Sequence, residues 1–339
     1  MAVELYFAGW GLPTGKNALY EHGYNRLFSY YYDSKFVDFT INRKSIMQRC
    51  LYENPVKCSD SISQLIDFDG LWQYELHKNN WMLNNKLFID SGAYSAWTQG
   101  VKINVDDYIN WINARSNYIN LYGQVDTIPG VKNGIVSLQE VREAAEKTWE
   151  NYLYMRPKMN NPEKLLYTFH VNEPIEFLKQ ALNYRDTNGP ISYIALGGMV
   201  GKPFDVRRNF LNAVFDVIKK SANPNIKVHA FGMTDSRLLE EFPITSADST
   251  GWLMVGSTGS IMTDYGNVVV SLNQSDSTDH YIHFPDEFLV KFRSDIEKFG
   301  FMLNDLSEDP HKRMIYNVRY MDDRVSKIQY RPSGRRTLF

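Results

Sequence analysis

The sequence predicts an α/β fold, an irregular TIM (β/α)8 barrel, and three observations carry that expectation. Short β-rich runs alternate with stretches of helical periodicity, the pattern of parallel α/β architecture. Eight such runs can be counted, the number that closes a barrel. The 339 residues hold one barrel of about 250 residues with room for additions.

In chain order, the apolar, β-branched and aromatic runs give strands at Val3–Trp10, Phe36–Ile41, Leu87–Asp90, Ile119–Asp126, Leu165–Val171, Tyr193–Gly197, Ile226–Phe231 and Ile244–Asp248. Helices are expected at Val105–Ser116, Leu138–Tyr154, Glu173–Tyr184, Val206–Lys220 and Asp235–Glu241. In the fourth of these, Val206, Phe210, Val214, Val217 and Ile218 recur at helical spacing, so one face can lie on the sheet. Residues 11–83 are longer and more aromatic than one βα unit needs, and are expected to carry an insertion. The barrel domain is therefore set at 1–260. A C-terminal appendage follows at 261–339, packing on the barrel. There Gly251–Asn267 reads as closing loops, Val268–Leu272 as a strand and Pro285–Phe299 as a helix.

Composition excludes several classes. Hydrophobic residues make up 43% and charged ones 22%, as in globular proteins. No apolar run approaches the ~18 residues of a membrane span. Met1–Tyr6 lacks a basic stretch followed by an apolar one, so the expected location is cytoplasmic, with no membrane partner. Cys50 and Cys58 are too few for a disulfide framework or a cysteine-based zinc site, and no metal or cofactor is expected. A formal charge of −2 denies the chain an overall basic field, so any nucleic-acid contact must be local. Aromatics at 14% fit either a filled core or stacking platforms for bases.

The chemistry of such a barrel gathers where strands exit into βα loops. Asp90 in Asp90-Ser91-Gly92-Ala93-Tyr94, Asp126 in Gln124-Val125-Asp126-Thr127 and Asp248 in Asp248-Ser249-Thr250-Gly251-Trp252 all sit at strand exits. Each alone could be an N-cap or Asx turn; three at one barrel end suggest a site. Leu196-Gly197-Gly198-Met199-Val200-Gly201 and His229-Ala230-Phe231-Gly232-Met233 end two further strands, with glycines suited to tight turns or to close ligand approach. His170 and His229 lie on apolar strands, where a hydrogen-bonded structural histidine is the commoner occupant.

In this order, the Asp-Ser-Gly-Ala-Tyr, Asp126, Gly-Gly, His-Ala-Phe-Gly-Met and Asp248 motifs resemble the motif series of the tRNA-guanine transglycosylase superfamily, between about Leu87 and Trp252. The departures are specific. No cysteines follow Asp248 to form that family's zinc subdomain, its Pro-Thr-Arg stretch is replaced by Ser249-Thr250-Gly251-Trp252, and the second motif glycine is Ala93. These shift the resemblance toward the zinc-less relatives of bacteriophages and genomic islands that insert 7-deazaguanines into DNA. A phage-encoded chain of this kind would act in the cytoplasm of a host bacterium.

The resemblance implies an enzyme, a pentosyltransferase exchanging guanine in DNA for a 7-deazaguanine such as preQ0. Asp248 would be the nucleophile at C1′, and Asp90 the general acid and base. Asp90 is accordingly expected to be the more desolvated of the two, or the closer to another carboxylate. Asp126 would accept from the base's N1–H and amine, Gly197 and Gly198 would meet O6, and Ser91 would hold the loop. Tyr94 and Phe231 would sandwich the ring, with His170 as a further base contact. Lys202, Arg207, Arg208 and Arg237 near the mouth, with Arg331, Arg335 and Arg336 in the tail, are candidates for phosphate contact, or are solvated surface charges. Partners would be DNA, the incoming base and the released guanine. An accessory protein that opens the duplex and the oligomeric state both stay open. So do three other readings: a tRNA-guanine transglycosylase, a barrel hydrolase of nucleosides or glycosides, and a non-catalytic DNA-binding module.

Overall fold

The computed structural model describes residues 2–9, 24–32, 34, 37–38, 41, 85–131 and 134–331. Eight parallel strands close on themselves: β1 (Glu4–Phe7), β2 (Asn25–Ser29), β3 (Leu87–Asp90), β4 (Leu121–Gly123), β5 (Leu165–His170), β6 (Tyr193–Gly197), β7 (Lys227–Ala230) and β8 (Ser246–Ser249). They neighbour one another in chain order, and β8 pairs with β1, Tyr6 opposite Asp248. This is a TIM-like α/β barrel.

Strand periodicity divides the side chains into two shells. Tyr6, Leu27, Phe88, Leu166, Tyr193 and Ala195 form a cluster inside the barrel. Their sequence neighbours Leu5, Phe7, Phe28, Leu87, Ile89, Leu165, Tyr167, Ile194 and Leu196 belong to the larger core beneath the helices. Those helices are α1 (Ala93–Thr98), α2 (Val105–Asn113), α3 (Leu138–Met155), α4 (Ile175–Asn183), α5 (Phe204–Lys220), α6 (Ser236–Glu241) and α7 (Gly251–Ser257). The expected α3 begins with a capping box in which Ser137 accepts from the Glu140 amide and Glu140 returns the bond. In α5 only part of the expected stripe is buried: Val214 and Ile218 are, joined by Leu211, while Val206 is exposed.

Three expectations are corrected. The second strand is Asn25–Ser29, not Phe36–Ile41; in the latter Val37, Asp38 and Ile41 are helical, and the other residues fall outside the described set. Arg26 and Asn25 hid the true strand because a polar pair interrupts its apolar run. Most of 11–83 also lies outside the described residues, and β2 falls within that span. Gly251–Asn267, read as loops, contains α7 and β9 (Ser260–Thr263), which pairs antiparallel with β10 (Gly266–Val269) where a strand at Val268–Leu272 was expected. The remaining strands and helices keep their places with ends shifted by a few residues.

Beyond the hairpin lie α8 (Asp286–Glu297), α9 (Leu303–Glu308) and α10 (Pro310–Ser326). Asp309 caps α10 by accepting from the His311 and Lys312 amides, with Pro310 in the first turn. The helix buries Met314, Ile315, Val318, Met321 and Val325 in the barrel's main core, while Tyr316 joins the cluster of the hairpin and α8. Polar pins fix it there. Fully buried Asn317 accepts from the Met262 amide (2.8 Å) and donates to the Trp252 and Ser260 carbonyls, and Arg313 donates to the Gly256 carbonyl. Trp252 in turn donates its indole N–H to the Ala8 carbonyl at 2.9 Å, tying α7 to the exit of β1.

Replacing Asn317 by Leu removes these three hydrogen bonds at the junction and leaves the Met262 amide without the Asn317 acceptor. Denaturant unfolding is expected to show a loss of about 2–4 kcal/mol. An unchanged midpoint would mean that α10 is held by its apolar contacts alone.

Candidate functional site

Strand parity turns Asp90, His170, His229 and Asp248 toward the barrel axis near the C-terminal ends of β3, β5, β7 and β8. The loop after β4 adds Asp126, whose carboxylate meets His170. Sequence expectations at separate strand exits are thus drawn together.

Asp248 is buried and held from one side. Its Oδ1 accepts from the Gly232 amide (2.9 Å) and lies 3.2 Å from Nε2 of His229, whereas Oδ2 receives no hydrogen bond from a described residue. Behind it stands a chain that sequence reasoning missed: His229 Nδ1 lies 2.6 Å from the Ser246 hydroxyl, itself 2.7 Å from the Tyr193 hydroxyl. Nothing beside His229 in the sequence points to this chain, since its partners come from β6 and β8.

Asp90 occupies a different environment. Burial, then the negative charge of Asp126, push its carboxyl up to about 7; the Gly92 amide, 3.1 Å from Oδ2, opposes the rise, and Asp248 adds to it. Gly92 is a positive-φ residue (74°), and a Cβ there would fall 2.4 Å from the Ser29 hydroxyl oxygen, so the turn that aims this amide requires glycine. Ser91 is fully buried and its hydroxyl accepts from the Ala93 amide, holding the loop. Gly123, another residue not anticipated, faces both Asp90 and Phe231: a Cβ there would stand in ordinary contact with each, at 3.8 Å.

Asp126 and His170 form part of a third unit. Nε2 of His170 lies 3.0 Å from Asp126 Oδ2, and Nδ1 lies 2.8 Å from Glu173 Oε1. Burial lowers the pKa of the ring, but the two carboxylates outweigh it and raise the imidazole to about 10, so it is an imidazolium at neutral pH. Both ring N–H groups are therefore spent on carboxylates, which leaves the ring face for any contact with a base. Gly197 is shaped to this ring, since a Cβ would come 2.5 Å from His170 Cδ2. The missing side chain at Gly197 thus admits the histidine. Gly198 supplies the turn with φ 75°.

The remaining candidates divide. Phe231 packs edge-on to His229 (4.7 Å between centroids) and near Phe88 (5.6 Å), inside the barrel beside Asp90. Tyr94 is 64% exposed on α1, 5.8 Å from Trp97, so in this conformation the two aromatic candidates lie in different settings, one in solvent and one inside. Arg207 and Arg237 share the carboxylate of Asp235, and Arg208 pairs with Glu241, which offsets two of the three charges; exposed Lys202 has no ion pair with a described residue. Arg331 is exposed and donates its amide to the Glu240 carbonyl; Arg335 and Arg336 lie outside the described residues. Among the described residues no group of three or more His, Cys, Asp or Glu is arranged to hold a metal ion, and no helix is long and apolar enough to cross a membrane.

Fold and site together define a parallel α/β barrel whose strand exits gather four carboxylates, Asp90, Asp126, Glu173 and Asp248, and two histidines. Comparison with protein families and with curated proteins gives no match for the chain.

Two measurements follow from the charges. A carboxyl raised in the folded state is a stability cost that is absent below its unfolded pKa near 3.8 and is fully present above about 7. Asp90→Asn should therefore raise the melting temperature at pH 8 and change it little at pH 4; equal changes at both would refute the raised carboxyl. His170 should remain protonated through pH 8 in NMR titration, and Glu173→Gln should lower its pKa by at least one unit.

Proposed function

We propose that this protein is a DNA-guanine transglycosylase that exchanges guanine for a 7-deazaguanine base such as preQ0 by double displacement. The observation that carries the reading is the pair Asp248 and Asp90: a carboxylate with one oxygen clamped and the other open, near a carboxyl raised to about 7. Such a division of labour suits a nucleophile and a general acid that later acts as base.

In the first displacement Oδ2 of Asp248 attacks C1′, the C1′–N9 bond breaks, and the proton of Asp90 goes to the departing guanine. In the second, N9 of the incoming deazaguanine attacks C1′, its proton passes to Asp90, and the bonding electrons return to Asp248 as a carboxylate. Asp126 supports recognition of the purine's donor edge through the oxygen not facing His170. Phe231 lies with Asp90 around Gly123, which supports a role in stacking on the base. A base in duplex DNA would have to leave the helix to reach these groups, at a cost of a few kcal/mol.

One observation favours a second reading, hydrolysis of a small nucleoside by the same carboxylates. Three of the four basic candidates near the mouth are tied to acids, which weakens a phosphate-binding surface. The test is to incubate the protein with duplex DNA and preQ0, digest to nucleosides and analyse by mass spectrometry, with tRNA and free deoxyguanosine in parallel. Deazaguanine in DNA with wild type, and a loss of at least 1000-fold in Asp248→Asn, is the expected result. Incorporation only into tRNA, or release of base only from the nucleoside, would replace the DNA reading.

A further inference from the structure

We infer that His229, backed by Ser246 and Tyr193, is a positioning residue that makes Asp248 a good leaving group and so governs breakdown of the covalent intermediate. The inference rests on the reading of Asp248 as nucleophile.

The chain of hydrogen bonds has one direction when His229 is neutral. An ionised Asp248 can only accept, so the proton of His229 lies on Nε2, and Nδ1 must accept in turn. The only donor at Nδ1 among the described residues is the Ser246 hydroxyl, at 2.6 Å. Its own oxygen then accepts from Tyr193, whose phenol burial holds well above its ordinary pKa and therefore protonated. His229 and Ser246 are fully enclosed and Tyr193 is 5% exposed, so water does not compete for these bonds. Phe88 and Phe231 stand edge-on to the imidazole with centroids 4.7 Å away, and Tyr6 at 6.1 Å, fixing the ring plane. Tautomer and orientation are both set before any substrate arrives.

The consequence lies in which oxygen is held. Attack through the open Oδ2 leaves Oδ1 as the carbonyl oxygen of a glycosyl ester, still facing the Gly232 amide and His229 Nε2–H. When the incoming base attacks C1′, the C1′–Oδ2 bond breaks and negative charge returns to the carboxylate, shared with Oδ1. Two fixed donors stabilise that developing charge more than they stabilise the neutral ester, as an oxyanion hole does. Removing one should slow the second displacement more than the first, and the ester should accumulate.

The experiment uses the full chain with a guanine-containing DNA duplex and preQ0, quenched by acid at intervals for intact mass. His229→Leu is expected to resolve its adduct 10- to 100-fold more slowly than wild type, while His229→Gln, which can still present an N–H to Asp248, recovers most of the rate. Ser246→Ala and Tyr193→Phe should show the same accumulation at smaller amplitude, and they carry the test if His229→Leu does not fold. Base exchange by wild type with adduct lifetimes unchanged in every folded variant would overturn the inference and leave the transglycosylase reading standing. Neither exchange nor adduct with wild type would overturn the reading itself, and the inference with it.

Discussion

Crowding of carboxylates at the C-terminal end of the barrel is the constraint around which the site is built. Asp90, Asp126 and Asp248 lie near enough for the latter two to raise the first, in a setting where burial already disfavours charge. Three equal carboxylates would repel one another there. The fold gives each a different partner: Asp126 faces an imidazolium, Asp248 takes an amide and a histidine N–H on one oxygen, and Asp90 takes the protonated share.

That allocation depends on backbone detail more than on the carboxylates. Gly92 is bent so that its amide reaches Asp90, and Gly197 yields the volume that His170 occupies. Gly232 presents its amide to Asp248. The outer helices contribute by fixing the strands that carry these groups, and α10 is joined through buried Asn317 to α7, whose Trp252 holds the end of β1.

The two histidines show why much of the site was illegible in sequence. His170 and His229 sit in similar apolar strands, yet one is an imidazolium between Asp126 and Glu173 while the other ends a chain from Tyr193 through Ser246. Glu173 follows His170 by three residues and could have been suspected; Ser246 and Tyr193 are 17 and 36 residues from His229, and only barrel pairing makes them neighbours. Of the arginines after these strand exits, Arg207 and Arg208 meet Asp235 and Glu241 only through the tertiary fold, whereas Arg237 pairs with Asp235 two residues before it. The helix α10 leaves a local signal, Met314, Val318, Met321 and Val325 at helical spacing after an Asp-Pro cap, whereas its place against the barrel is set by tertiary packing.

By itself the sequence determined the alternation of strands and helices, the barrel class and the strand exits at which Asp90, Asp126 and Asp248 stand. Those features are local, because periodicity and turn residues act over a few positions. Only the tertiary structure decided that β2 is Asn25–Ser29, that His170 carries charge, and which oxygen of Asp248 is left open. Each of these depends on what lies across the barrel, where burial and the distance to a partner set a proton's place, and neither is written in the residues beside it.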